Sequence, residues 1–137
     1  MAVAKDGTIY IADTLNHRVR VVATTGIIRT LAGSGTAAHA GDGKAAAAAA
    51  LNSPAAVVLG PDGGVYIADT LNHVVRIVNV SSGIISGVAG SGTYGYSGDR
   101  SVPLLAKLGN PRGIAVSSDG TVYIADTSNN VIRRVGL

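Results

Sequence analysis

The sequence predicts an all-β fold of the β-propeller type, with antiparallel four-stranded blades, two complete and a third lacking its outer strand. Three observations lead there. The first is self-similarity: Ile9-Tyr10-Ile11-Ala12-Asp13-Thr14-Leu15-Asn16-His17 recurs as Val65-Tyr66-Ile67-Ala68-Asp69-Thr70-Leu71-Asn72-His73, then as Val122-Tyr123-Ile124-Ala125-Asp126-Thr127-Ser128-Asn129-Asn130. The spacings, 56 residues from Ile9 to Val65 and 57 from Val65 to Val122, suit a propeller repeat with one enlarged loop. The second is four short apolar runs per period, separated by turn residues. The third is composition: Ala, Val and Ile dominate, Glu is absent, and 19 glycines supply turns without a collagen-like period.

Within one period the strands are read in order. Strand A is Ala55 to Leu59, followed by the Pro61-Asp62-Gly63-Gly64 turn; strand B is Val65 to Ala68. Asp69-Thr70-Leu71-Asn72 turns the chain into strand C, about His73 to Val80, and Ser81-Ser82-Gly83 leads into strand D, Ile84 to Ala89. A Gly- and Ala-rich connector follows each D strand, with a Gly-Asp pair (Gly41-Asp42, Gly98-Asp99) and a closing proline (Pro54, Pro111). Lys44 to Leu51 is rich enough in Ala for one or two helical turns, and in Ser101 to Leu108 Pro103 permits only a helix start. The expected organisation is therefore blade 1 about 1–33, connector 34–53, blade 2 about 54–90, connector 91–110 and partial blade 3 about 111–137. Met1 aligns inside strand A and Leu137 at the end of strand C, so two apolar blade faces are expected to be bare. Two copies would supply six blades, and closure of a homodimeric ring by a two-fold axis is the favoured assembly.

Composition limits the function classes. Of 137 residues 47% are apolar and 14% charged, a foldable globular chain. The net charge of +3 is too small to argue for nucleic acid. Without cysteine there is neither a disulfide framework nor a thiolate site, and the compartment stays open. No run approaches the roughly 18 apolar residues of a membrane span, so no membrane insertion is expected. No signal peptide follows Met1; a secreted or cell-surface parent would carry its targeting signal elsewhere.

The pattern Asn-Ser-Pro or Asn-Pro-Arg-Gly, strand, Asp-Gly, Tyr-Ile-Ala-Asp-Thr, Asn-His or Asn-Asn, Val-Arg resembles the NHL repeat. With Ala-Gly-Ser-Gly-Thr and Gly-Asp in the connector, it is similar to the long-connector subtype of large bacterial repeat proteins and teneurin-like proteins. The resemblance covers essentially the whole chain; it implies the fold, and function only loosely.

Asp13, Asp69 and Asp126 look most catalytic, yet their recurrence in every blade argues for architecture, with each carboxylate accepting turn amides two residues on. Arg20, Arg76 and Arg133 share a face with Val22, Val78 and Val135 on strand C, and the repeating Asp is their natural partner. His17 and His73 sit in different blades, and no set of three or four residues has metal-ligand spacing. A calcium site at the Gly-Asp connector would have one carboxylate per loop, too few to favour it. Ala32-Gly33-Ser34-Gly35-Thr36 lacks the Lys and following helix of a phosphate loop, and no nucleophile elbow occurs. An amidating lyase shares the fold type, but its disulfides and His set have no counterpart here. No catalytic residue, metal or cofactor is therefore expected.

The expectation is a non-catalytic protein-interaction or scaffolding module that self-associates to close the ring and takes an unidentified protein partner. Residues that vary between repeats or break them form the candidate binding surface: Arg18, His39, Tyr94, Tyr96, Arg112 and Arg134. The resemblance leaves RNA binding through a basic end face as an alternative, as it does a fragment with no ligand of its own.

Overall fold

The computed structural model describes residues 1–136, which form eleven strands in three antiparallel sheets. Blade 1 comprises β1 (Ala2–Val3), β2 (Ile9–Asp13), β3 (Arg18–Val22) and β4 (Ile28–Ala32). Blade 2 comprises β5 (Pro54–Leu59), β6 (Val65–Asp69), β7 (Val74–Asn79) and β8 (Ile84–Ala89), and blade 3 comprises β9 (Pro111–Val116), β10 (Val122–Asp126) and β11 (Val131–Val135). Every strand pairs with its sequence neighbour, so each sheet is a meander. The first strands lie along one side of the array, where β5 packs against β2 and β9 against β5 and β6. These are propeller blades, two of four strands and one of three. No helix among the described residues is long and apolar enough to cross a membrane.

Strand alternation gives each blade two apolar faces. Tyr10, Val19 and Val21 of blade 1 meet Val57, Val65, Ile67 and Val78 of blade 2 in one core. Tyr66 and Val75 leave the other face of blade 2 to meet Val122, Ile124 and Val135 of blade 3 in a second. Each connector adds small apolar wedges: Ala46, Ala49 and Leu51 are buried in the first core, and Leu108 in the second. Burying one Val, Leu or Ile contributes about 1.5–3 kcal/mol, so these junctions carry most of the stability.

The connectors contain single 3₁₀ turns, Ala46–Ala48 where the alanines suggested one or two helical turns, and Pro103–Leu105. Backbone on both sides holds the first: Gly33 N–H donates to Ala46 O at 3.0 Å, Ser34 N–H to Ala49 O at 2.7 Å, and Ala46 N–H to Gly83 O at 2.8 Å. These tertiary bonds override Ala propensity. Pro103 opens its turn, where a missing N–H costs nothing. The Asp residues that accept an amide two residues on lie in a different turn, between the first two strands of each blade. Asp6 accepts from Thr8 N–H (2.9 Å), Asp62 from Gly64 (3.0 Å) and Asp119 from Thr121 (3.0 Å).

Candidate functional site

The turn after the second strand of each blade is a single 3₁₀ turn, at Thr14–Asn16, Thr70–Asn72 and Thr127–Asn129. It closes on a left-handed residue: His17 (φ 54°), His73 (φ 57°) or Asn130 (φ 57°). Asp13, Asp69 and Asp126 do not cap it two residues on; in blades 2 and 3 that amide goes to the preceding connector, Leu71 N–H donating to Asn52 O (3.1 Å) and Ser128 N–H to Gly109 O (2.9 Å). Each instead takes the side-chain amide three residues on, from Asn16, Asn72 or Asn129, at 2.8–2.9 Å. Asp69 also accepts Asn52 N–H at 2.7 Å, and Asp126 accepts Gly109 N–H at 2.6 Å, both from the preceding connector.

Arg76 Nη1 lies 3.3 Å from Asp69 Oδ2, with both side chains fully buried, and Arg133 Nη1 lies 3.2 Å from Asp126 Oδ2. The connector from the blade before completes each site. Arg76 donates to Asp42 Oδ1 through Nε (2.9 Å) and Nη2 (2.7 Å), to Ala50 O (2.8 Å) and to Ala40 O (3.0 Å). Arg133 repeats the arrangement with Asp99 (2.6 Å), Ser97 O (2.9 Å) and Lys107 O (3.3 Å). Burial pushes the Asp69 carboxyl up, and the hydrogen bonds from Asn52 and Asn72 and the Arg76 charge pull against it. In blade 1, among the described residues, Arg20 has only Asp13, at 3.6 Å, and its buried Nε has no partner.

The turn also reaches forward. Thr14 Oγ1 donates to Pro54 O and Thr70 Oγ1 to Pro111 O, each at 2.8 Å. His17 Nδ1 accepts Ser53 N–H (3.0 Å), and His73 Nδ1 accepts Asn110 N–H (3.3 Å). Desolvation holds His73 below the usual imidazole range despite the Asp126 charge, which keeps Nδ1 an acceptor. The Ala-Gly step after the fourth strand is explained by close approach. A Cβ at Gly33 or Gly90, where φ is +94° and +98°, would collide with His17 O or His73 O.

The other candidate residues are dispersed. Arg18 folds back onto Ser34 O at 2.8 Å. His39 Nε2 is 3.7 Å from Asp42, and Tyr94, 56% exposed, meets the edge of His73 at 5.3 Å. Tyr96, equally exposed, lies under the Arg133 guanidinium at 4.9 Å and donates to Asp99 at 2.8 Å. Arg112 occupies the irregularity between Pro111↔Asp126 and Gly113↔Ala125 pairing, at the turn end of β9, and Arg18 is opposite Asp13 at the same end of blade 1. Arg134 pairs with Tyr123 near the other end of blade 3, so the strand register does not gather the three arginines into one basic end face. Asp42 and Asp99 are the functional side chains that sequence reasoning did not assign. Their signal was present, because each lies 34 residues before its arginine. Among the described residues no three His, Cys, Asp or Glu side chains converge as metal ligands.

The NHL repeat family model matches residues 108–134, the connector end and all three strands of blade 3, and the other blades repeat that stretch in sequence and register. These blades are NHL repeats. Across 93% of the chain the NHL array is 30% identical to Protein SUPPRESSOR OF QUENCHING 1, chloroplastic, of Arabidopsis thaliana, and 32% identical to human Teneurin-4. It spans 13% and 5% of those proteins' lengths. An auxiliary nutrient binding protein from Bacteroides thetaiotaomicron superposes with a TM-score of 0.74 at 23% identity, over 93% of this chain and 34% of that one. Virginiamycin B lyase from Staphylococcus aureus superposes with a TM-score of 0.57 at 16% identity, over 98% and 39%. At these identities the two structures share the fold alone.

Proposed function

We propose that the NHL array is a non-catalytic protein-interaction segment of a β-propeller that closes its ring by associating with further blades. The observation that carries this reading is how its charged groups are used. Asp69, Arg76 and Asp42, and again Asp126, Arg133 and Asp99, bind one another across blade junctions, which leaves the most reactive-looking residues as fasteners. The residues that differ between repeats, Tyr94 and Tyr96 against Ala37 and His39, stand exposed on the connectors, where a partner would find contact area.

The outer blade faces support association. Ile132 is 70% exposed, whereas its repeat equivalents Val19 and Val75 are fully buried beneath the next blade. Tyr123 is 40% exposed against 8% and 2% for Tyr10 and Tyr66. These faces are continuous in character with the two junctions already formed, so another blade is the fitting occupant, and a second copy of this chain supplies one. Sedimentation equilibrium at micromolar concentration tests this: a mass that is a multiple of 13.6 kDa is expected, and a monomer overturns the self-association.

A further inference from the structure

We propose that the open face of blade 1 is a docking socket for the acidic connector of another NHL repeat, with Arg20 as its anion-binding residue. The proposal rests on reading the array as part of a ring and specifies what that junction takes in. Internal repetition shows the occupant, because the equivalent socket is filled twice within this chain.

In both filled sockets the connector presents five groups in one register. Around Asp42 they are the carbonyls of Ala38 and Ala40, the carboxylate, the carbonyl of Ala50 and the N–H of Asn52. Around Asp99 they are the carbonyls of Gly95 and Ser97, the carboxylate, the carbonyl of Lys107 and the N–H of Gly109. Relative to the Asp these are positions −4, −2, 0, +8 and +10 in both connectors. The receiving side is equally constant: an Asn amide takes the carbonyl at −4, the Arg guanidinium the next three groups, and the strand-end Asp the N–H at +10. Apolar residues at +7 and +9, Ala49 and Leu51 or Ala106 and Leu108, are buried alongside.

Among the described residues, blade 1 presents the same receiving groups with no connector on them: Asn16 Nδ2 bonds only Asp13, and Asp13 accepts no connector amide. The Nε of Arg20 is buried with no partner among the described residues, the nitrogen that in Arg76 donates to the Asp42 carboxylate at 2.9 Å. The Arg20 and Asp13 side chains are 29% and 25% exposed, where Arg76 and Asp69 are at 0%. Beside them Ile9 and Ile11 are only part-buried, where Val65, Ile67, Val122 and Ile124 are fully covered. A guanidinium with an unbonded inner nitrogen, a half-paired carboxylate and an uncovered apolar strip together match a carboxylate-bearing peptide with an apolar tail.

The probe is a capped synthetic peptide with the sequence of residues 91–110, titrated into the ¹⁵N-labelled chain while the arginine Nε–Hε resonances are followed. The Arg20 resonance is expected to shift saturably, while those of Arg76 and Arg133 stay in place and report an intact fold. The same peptide carrying Asp99→Asn should need about tenfold more for the same shift, and an Arg20→Gln chain should bind the labelled peptide about tenfold more weakly by fluorescence anisotropy. An Arg20 resonance unmoved at millimolar peptide overturns the proposal. So does an equal response to capped Gly-Asp-Gly, which marks a generic carboxylate site. Sedimentation reads ring closure separately: a chain that associates but shows no Arg20 response retains the interaction reading and loses this one.

Discussion

Asp42 leaves blade 1 on its connector and grips Arg76 of blade 2 with one carboxylate oxygen, Oδ1, at 2.9 Å from Nε and 2.7 Å from Nη2. The contact spans 34 residues and ties the connector, the second and third strands of blade 2 and the turn between them into one polar unit inside an apolar junction. A buried guanidinium is tolerable only when its donors are met, and this geometry meets them.

Removing one partner should therefore cost in proportion to burial. Asp69→Ala leaves Arg76 and the Asn52 amide short of a buried acceptor and should destabilise by about 3–5 kcal/mol. Asp13→Ala, at the looser and partly exposed pair, should cost about 0–1 kcal/mol. Urea unfolding midpoints at unchanged slope measure both.

Gly90→Ala places a Cβ against His73 O at φ +98°, and should cost more than about 2 kcal/mol. Gly83→Ala, at φ +71° with open space around it, should cost about 1 kcal/mol. Equal losses at the two positions would contradict the close approach of connector and turn.

Protonation of His73 opposes its role as acceptor of Asn110 N–H. Its folded pKa is lowered by desolvation, so its contribution is fully present above the unfolded value near 6.5 and is lost as pH falls from there through the folded pKa. Asp69 has the opposite sign: its raised pKa favours the fold below the unfolded carboxylate value and is lost as pH rises through the folded one. Because the two oppose each other, His73 is read as a difference: towards pH 5 the urea midpoint of the unmodified chain should fall relative to that of His73→Gln.

The Tyr96 ring packs on Arg133 while its hydroxyl holds Asp99. Tyr96→Phe should lower stability slightly by losing the hydrogen bond, and Tyr96→Ala should lower it further by losing the cation–π contact as well. Thermal unfolding of the two variants separates the terms.

The topology was legible because each blade is specified by local pattern. Val65-Tyr66-Ile67-Ala68 alternates between two faces, and Gly or Asp-Gly marks the turns, so eleven strands follow from three copies of one motif. The connector was legible only in outline. Its conformation depends on contacts such as Ser34 N–H with Ala49 O and Arg76 with Ala50 O, which join residues that no local propensity relates. The alanines of Lys44–Leu51 read as helix formers, but they are small apolar fillers in a blade junction. Likewise the strand-end Asp looks like a turn cap, since the sequence alone does not show that a connector amide reaches it from 17 residues upstream.

The exposed Ile132 face offers the most direct test of the account as a ring-closing interaction segment. Sedimentation equilibrium of the unmodified chain and of Ile132→Asp reads whether that face meets another blade. The account predicts a multiple of 13.6 kDa for the first and 13.6 kDa for the second; a monomer in both cases, or an assembly indifferent to the substitution, would contradict it.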